Sequence, residues 1–348
     1  MKKRGLYVAL SLVGIAASLL IGCAKASSTT TQAATEKATK PAKTYTIKVG
    51  DNWGESHPMG RAIKDVFKKE VEEKTNGAIK VDVYSDGTLG AEGELWSGVR
   101  NGTIEVAIVG TPFNQEWPTS MISDWPFLYK DIQHAKKVWT SEIADEMNVE
   151  FHQRFPEAYM LAWGPNSART FSSNKKLTSV DDFKGQKFRM PSNPIHVGIV
   201  QYLGASAQVI PLTDLFSALQ TGVVDGQDNG MVTIRSQSFD QVQKYVYETN
   251  HIVATLEVII NSKFLDSLPS EYQDVIRQAA KDTTAKAWDD YIASIDVDRK
   301  ALQDEGLTVT PCTPEDQEKI KQMIQPLYDK LYAEQPWAKA LTERIANY

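Results

Sequence analysis

The sequence predicts an α/β protein of two domains. Three observations predict it. The chain of 348 residues is about twice the length of an ordinary single domain. Apolar runs of period two alternate with runs at helical spacing in two successive stretches, the pattern of largely parallel sheets covered by helices. One helical run near the C-terminus is too long for either domain alone. Apolar residues make up 42% and charged residues 24% of the chain, enough for a sizeable core.

In the first stretch Tyr45, Ile47 and Val49 alternate with polar residues as a strand. Met59, Ala62, Ile63, Val66, Phe67 and Val71 follow at helical spacing, and Asn76-Gly77 supplies a C-terminal stop. Ile79, Val81 and Val83 form a second strand. A loop with Gly87 and Gly90 leads to a short helix near Glu92–Arg100, closed by Asn101-Gly102, and Ile104–Val109 is a third, buried strand. The second stretch repeats the grammar. Tyr159–Trp163 is strand-like, and Ser179 and Asp182 make a capping box. Lys187–Met190 is a strand, Pro194–Leu203 a helix, Gln208–Ile210 a short strand, and Thr213–Gln220 an amphipathic helix stopped by Gly222. Val253–Asn261 is β-rich and long enough to pass between domains. After Pro269, Ser270 and Gln273 predict a capping box, and helical periodicity then runs to about Asp304. That is about 35 residues, or over ~50 Å at 1.5 Å per residue, so the helix is expected to span both domains. The tail after Pro314 is helical.

The N-terminus reads as an address. Lys2-Lys3-Arg4 precedes an apolar stretch from Leu6 to Ile21, and the stretch ends in Leu20-Ile21-Gly22-Cys23. A cationic start, an apolar run and small residues make a secretory signal. Leu-Ile-Gly-Cys resembles the lipobox of bacterial lipoproteins, which implies a signal peptide over 1–22, cut before Cys23, and a lipid on the Cys23 thiol. Residues 24–43 are small, polar and cationic and cannot bury enough apolar surface to fold, so 23–43 is expected to be a lipidated, disordered tether. Cys312 is the other cysteine; with Cys23 lipidated, an intrachain disulfide has no second thiol.

Charge and motifs exclude several functions. Seven of the 38 basic residues but one of the 44 acids fall in residues 1–43, so the remaining body carries a net charge near −12. An acidic body lacks the basic footprint of nucleic-acid binding. No G-x-S-x-G elbow, phosphate-binding G-x-x-x-x-G-K-[ST] loop or G-x-G-x-x-G turn occurs. His57, His134, His152, His196 and His251 form no metal-ligand spacing, so neither metal nor cofactor is expected.

Two segments carry a resemblance. One is Lys184-Gly-Gln-Lys-Phe-Arg189 followed by Met190-Pro191; the other runs Phe216-Ser-Ala-Leu-Gln-Thr-Gly-Val-Val-Asp-Gly-Gln-Asp-Asn229. They resemble the solute-binding proteins of tripartite ATP-independent periplasmic (TRAP) transporters, the DctP-like family. Further matches are Glu72–Gly77, Leu89-Gly90, Val99–Gly102, Trp125–Leu128 and Thr249–His251, and the resemblance covers about 44–340. It implies a two-lobed periplasmic-binding-protein fold, two α/β domains joined by crossing segments, with a long helix spanning both. Lobe I would comprise 44–166 plus about 254–294, and lobe II 167–253 plus about 295–348. A ligand, usually a carboxylate, would lie between them. The implied function is capture of an organic acid (a sugar acid, uronate or dicarboxylate) and delivery to a sodium-driven permease. The protein would be exported, monomeric and lipid-anchored to the outer face of the cytoplasmic membrane. The alternatives are a ligand-sensing receptor for a sensor kinase and an exported enzyme acting on an organic acid.

The residues themselves point the same way. Arg189 lies on a strand between Phe188 and Met190, so its side chain faces opposite to theirs, and a guanidinium offers a planar fork matching a carboxylate. Arg169, after Asn166-Ser-Ala, matches a second pocket arginine of the family. Asn229 matches an asparagine that bonds the same carboxylate; Asp228 and Gly230 depart from the usual Glu and Pro beside it. Asn52 and Trp53 end the first strand, where ligands lie in open α/β sheets. Glu92 opens a helix and is placed to accept bonds from hydroxyls. Thr111 and Phe113 follow the third strand, Asn166 joins the ligand set, and His251 matches a family histidine that reaches the ligand through water.

Overall fold

The structure is a computed structural model that describes residues 43–110 and 112–348. Cys23 and the signal and tether readings lie outside the described residues, as does Thr111.

Among the described residues nine strands form one continuous sheet in the order β2-β1-β3-β8-β4-β7-β5-β6, with β9 paired to β8. They are β1 Tyr45–Gly50, β2 Ile79–Tyr84, β3 Val106–Val109, β4 Ala158–Ser173, β5 Lys187–Met190, β6 Ser206–Val209, β7 Gly226–Asn229, β8 Tyr245–Asn261 and β9 Thr308–Pro311. β1 pairs parallel with β2 and β3, and β5 pairs parallel with β6 and β7. Between these two parallel halves run β4 and β8, antiparallel to each other from Ala158↔Asn261 to Ser173↔Tyr245. Each therefore belongs to both halves. Register shifts at Pro165/Ser167 and Arg169/Phe171 interrupt the ladder midway, and such bulges bend and twist a pair. The crossing strands are longer than their apolar runs suggest. Seven of the eight residues from Asn166 to Ser173 are buried, four of them Ser or Thr, which pattern reading takes for loop.

The alternation of each central strand sorts the core. Val106 and Ile108 on β3, with Leu256, Val258 and Ile260 on β8, face one side and meet Ile47, Val49 and Val81. A helix covers them in three consecutive segments, Pro58–Ala62, a π-helical Ile63–Lys68 and Lys69–Lys74. Its Met59, Ile63, Phe67 and Val71 make a stripe at four-residue spacing, all fully buried. Ala107, Val109 and Ile259 face the other side, into a core with Trp96, Phe113, Phe151 and Phe155.

The long helix runs Ser270–Asp304, 35 residues. Ile276, Ala279 and Ala280 pack on the first core and Leu302 on the core of the second half. The predicted capping box does not form. Pro269 is the N-cap, and Gln273 Nε2 instead donates to the Leu268 carbonyl at 3.0 Å. The capping box at Ser179 and Asp182 is present. Two further helices are Ile132–Trp139 and Glu142–Arg154. Asp131 and Ser141 cap them, bonding His134 N and Ile143 N.

Candidate functional site

A cavity of about 300 Å³ opens between the two halves, above the crossing strands. Its walls are strand ends. Asn52 and Trp53 follow β1, Gly110 and Asn114 follow β3, and Glu92 begins the helix Glu92–Asn101. From the second half come Arg189 on β5, Ser192 and Asn193 beyond it, Ile210 to Thr213 beyond β6, and Asn229 ending β7. Asn166 and Arg169 of β4 and Thr255 of β8 complete it. The carboxyl ends of parallel strands are where open α/β sheets place ligands.

The halves are closed on each other. Asn114 Nδ2 donates to the Ser192 carbonyl at 2.9 Å, and Gln237 Nε2 to the Asn52 carbonyl at 3.2 Å. At the rim Gly87, with φ +71°, faces Thr213; a Cβ there would stand 2.7 Å from the threonine methyl. A side chain at this point would prop the halves apart.

The two arginines differ in their partners. Arg169 pairs with Asp228, Nη2 to Oδ1 at 2.7 Å and Nε to Oδ2 at 3.2 Å, and Nη2 also meets the Asp228 carbonyl. His196 Nδ1 lies 2.8 Å from Asp228 Oδ2, and its Nε2 lies 3.4 Å from Asp124 Oδ1. Asn193 Nδ2 also donates to Asp124, at 2.8 Å. Burial alone would raise the Asp228 carboxyl, but Arg169 and then His196 outweigh it and hold it well below the usual carboxylate range. Burial would lower His196; its aspartates, Asp228 first, raise it instead.

Arg189 has no such counter-ion. It is 4% exposed, its Nε donates to the Ile210 carbonyl at 2.7 Å, and no carboxylate among the described residues forms an ion pair with it. Burial, and then the like charge of Arg169, push its guanidinium down to about 10. Asn229 stands beside it in the lining, its Nδ2 donating to Gln227 Oε1 at 2.6 Å.

The facing wall is rich in acceptors. Glu92 Oε1 accepts from Gly110 N at 2.5 Å. A Cβ on Gly110 would stand 3.0 Å from that oxygen, so glycine permits the approach. Burial raises the Glu92 carboxyl. Asn52 Nδ2 donates to the Gly90 carbonyl at 2.9 Å, leaving Oδ1 buried without a partner; Trp53 Nε1 is likewise buried and unpartnered. Thr255 gives its hydroxyl hydrogen to Glu257 Oε1 at 2.7 Å.

Of the residues singled out from sequence, Arg189, Arg169, Asn229, Asn52, Trp53, Glu92 and Asn166 line this cavity. Phe113 and His251 do not. Phe113 is fully buried among aromatic rings, 5.5 Å from Trp96 and 5.3 Å from Phe151 between centroids, so it is core rather than cavity wall. His251 lies a layer behind. Its ring stacks on Phe171 at 4.4 Å, Thr249 Oγ1 meets its Nδ1 at 2.8 Å, and its Nε2 is 3.6 Å from Asp228 Oδ2. Burial lowers it. Sequence reading missed Asp124, Asn193, His196 and Thr255 as lining residues, and Asp228 as a counter-ion. Asp228, Asn193 and His196 sit beside the motifs that contain Asn229 and Arg189; Asp124 and Thr255 carry no local signal. No cluster of three or more His, Cys, Asp or Glu side chains is placed to hold a metal ion among the described residues.

A closed inter-lobe cavity lined by a buried guanidinium that has no carboxylate partner among the described residues is the arrangement of a solute-binding class of protein. Residues 49–335 match the family model for bacterial extracellular solute-binding proteins, family 7 (DctP), and the chain belongs to that family. A solute-binding protein from Verminephrobacter eiseniae is 34% identical over 78% of this chain and 81% of its own. A TRAP periplasmic solute-binding protein from Haemophilus influenzae, solved with bound L-gulonate, is 33% identical, covers 87% of this chain and 99% of its own, and superposes with a TM-score of 0.83. A sugar-acid-binding protein from Advenella mimigardefordensis, solved with galactonate, is 27% identical over 88% of this chain and 97% of its own, with a TM-score of 0.83. The chain is therefore an extracytoplasmic TRAP solute-binding protein of two-lobed α/β fold, and not an enzyme. No helix among the described residues is long and apolar enough to cross a membrane.

Proposed function

We propose that the protein is a lipid-anchored receptor for a sugar acid, held through its carboxylate by Arg189 and passed to a sodium-driven TRAP permease. The observation that carries this reading is Arg189, a buried guanidinium at a strand end with no carboxylate partner among the described residues. A ligand carboxylate supplies the missing counter-ion in a bidentate geometry that a lysine would not reproduce. Arg169 is neutralised by Asp228 and acts beside it as a fixed donor, and Asn229 adds a neutral one. Asn52, Trp53, Glu92 and Asn166 would meet the remainder of the ligand. The sugar acids bound by the Haemophilus and Advenella proteins support this ligand class. The lipobox-like Leu20-Ile21-Gly22-Cys23 supports the anchor, and family membership supports the permease as partner.

The test is a thermal-shift screen of the purified protein against aldonates, uronates, four-carbon dicarboxylates, keto acids and amino acids. A ligand present at 100 times its dissociation constant stabilises by ~2.7 kcal/mol. One acid is expected to raise the midpoint in wild type and leave Arg189→Ala unchanged. A hit that persists in Arg189→Ala overturns the anchor, and a screen positive for amino acids alone overturns the ligand class.

A further inference from the structure

The wall opposite Arg189 shows which end group a ligand can present there. Glu92 Oε1 spends one lone pair on Gly110 N, and no donor among the described residues reaches Oε2. Asn52 Oδ1 and Trp53 Nε1 are both buried and unpartnered, in side chains 3% and 2% exposed that line the cavity. Thr255 also lines the cavity, its hydroxyl bonded to Glu257 Oε1 at 2.7 Å. Glu92 and Asn52 thus bring acceptor oxygens, and Trp53 a donor, to the lining of one cavity. A hydroxyl answers both kinds, because it donates and accepts; a carboxylate has no hydrogen to give and places its charge against Glu92.

We propose, building on the sugar-acid reading above, that Glu92 with Asn52 and Trp53 forms a selectivity wall that accepts a neutral, hydroxyl-bearing terminus and rejects a second carboxylate. The ligand is then a polyhydroxy monocarboxylate, its single charge on Arg189 and its alcohol end on Glu92. Charge supports the assignment. Arg169 is spent on Asp228, which leaves one guanidinium without an ionic partner to receive one carboxylate. Like-charge juxtaposition and unpaired acceptors are how a site rejects a near-isostere that it cannot exclude by size. An aldonate and its aldarate are such a pair, differing only in a terminal CH2OH against COO⁻.

The experiment is titration calorimetry of wild type and Glu92→Gln with D-gluconate, L-gulonate and D-galactonate, and with D-glucarate and galactarate. Glutamine keeps the length of the side chain and an oxygen for Gly110 N; thermal unfolding checks that the variant is folded. In wild type the best aldonate is expected to bind at least 100-fold more tightly than its aldarate. In Glu92→Gln that ratio is expected to shrink at least tenfold, chiefly through tighter aldarate binding. An aldarate that matches the aldonate in wild type, or a variant that weakens both acids equally, overturns the wall. If none of the five binds wild type, the sugar-acid reading itself falls, and the wall with it; that result is distinct because the wild-type titrations are blank.

Discussion

Arg169 and Arg189 share one cavity, yet neutralising them should move stability in opposite directions. Arg189 is 4% exposed, and burial with Arg169 nearby pushes its guanidinium down to about 10. A shift of that size means the charged form costs the fold ~3 kcal/mol. Arg189→Met removes the charge and fills a similar volume. It also gives up the hydrogen bond to the Ile210 carbonyl, a loss of about 1 kcal/mol. The ligand-free variant should therefore be more stable than wild type by ~1–2 kcal/mol, or a midpoint roughly 2–8 °C higher. Arg169→Met takes the guanidinium from Asp228, whose side chain is 1% exposed and keeps His196 and His251 beside it, and breaking a buried pair from one side costs roughly 3–5 kcal/mol.

Ligand binding separates the same variants further. In Arg189→Met a bound carboxylate is buried with no ionic partner, and the loss should be roughly 3–5 kcal/mol, two to four decades in affinity. Urea unfolding of the three ligand-free proteins gives the stabilities, and calorimetry with the acid found by screening gives the affinities. Two variants destabilised alike, or an Arg189→Met protein that keeps wild-type affinity, would refute the division of labour between these arginines.

Two further outcomes can be checked. Burial raises Asp51 from 3.8 to about 7, against smaller lowering from its bonds to Ser85 Oγ and Trp53 N. Between about pH 4 and 7 the folded chain holds a proton that the unfolded chain has released, so this group removes stability as pH rises, ~4 kcal/mol in full above pH 7. Asp51→Asn should gain on wild type from pH 5 to pH 8 in urea titrations, and a difference independent of pH would contradict the assignment. Phe113→Ala should lose roughly 3–5 kcal/mol of stability by opening the aromatic core, while folded protein keeps ligand affinity within about threefold. A selective loss of affinity would return Phe113 to the ligand wall.

What the sequence displayed followed from local physics. The stripe of Met59, Ile63, Phe67 and Val71 and the stop at Asn76-Gly77 are written in neighbouring residues, and so is the 35-residue helix. The lining residues at strand ends were legible because a strand end is a local event. Asp124 was not, because it joins the site through a partner distant in sequence: Asn193 meets it across 69 positions. Phe113 was misplaced for a related reason. Four residues past β3, Phe113 lies in the helical layer, where Phe151 and Phe155 receive it, and its neighbours in sequence do not say which layer takes the ring.

The unpaired groups also explain why closure should wait for ligand. In the closed form the protein offers no counter-ion to Arg189, no donor to Asn52 Oδ1 and no acceptor to Trp53 Nε1 among the described residues. An unsatisfied buried polar group costs about 1–3 kcal/mol, more for a charged one. Polar contacts that close the cavity, such as Asn114 to Ser192 and Gln237 to Asn52, are each worth about 1 kcal/mol. Left to these terms, the open form, in which water serves the same groups, is favoured. A ligand that brings a carboxylate to Arg189 and hydroxyls to Asn52, Trp53 and Glu92 reverses the balance, because it binds the closed form with contacts the open form cannot make at once. An ion that satisfied Arg189 alone would leave the facing wall unmet, so affinity and closure both depend on a ligand long enough to answer the two walls together.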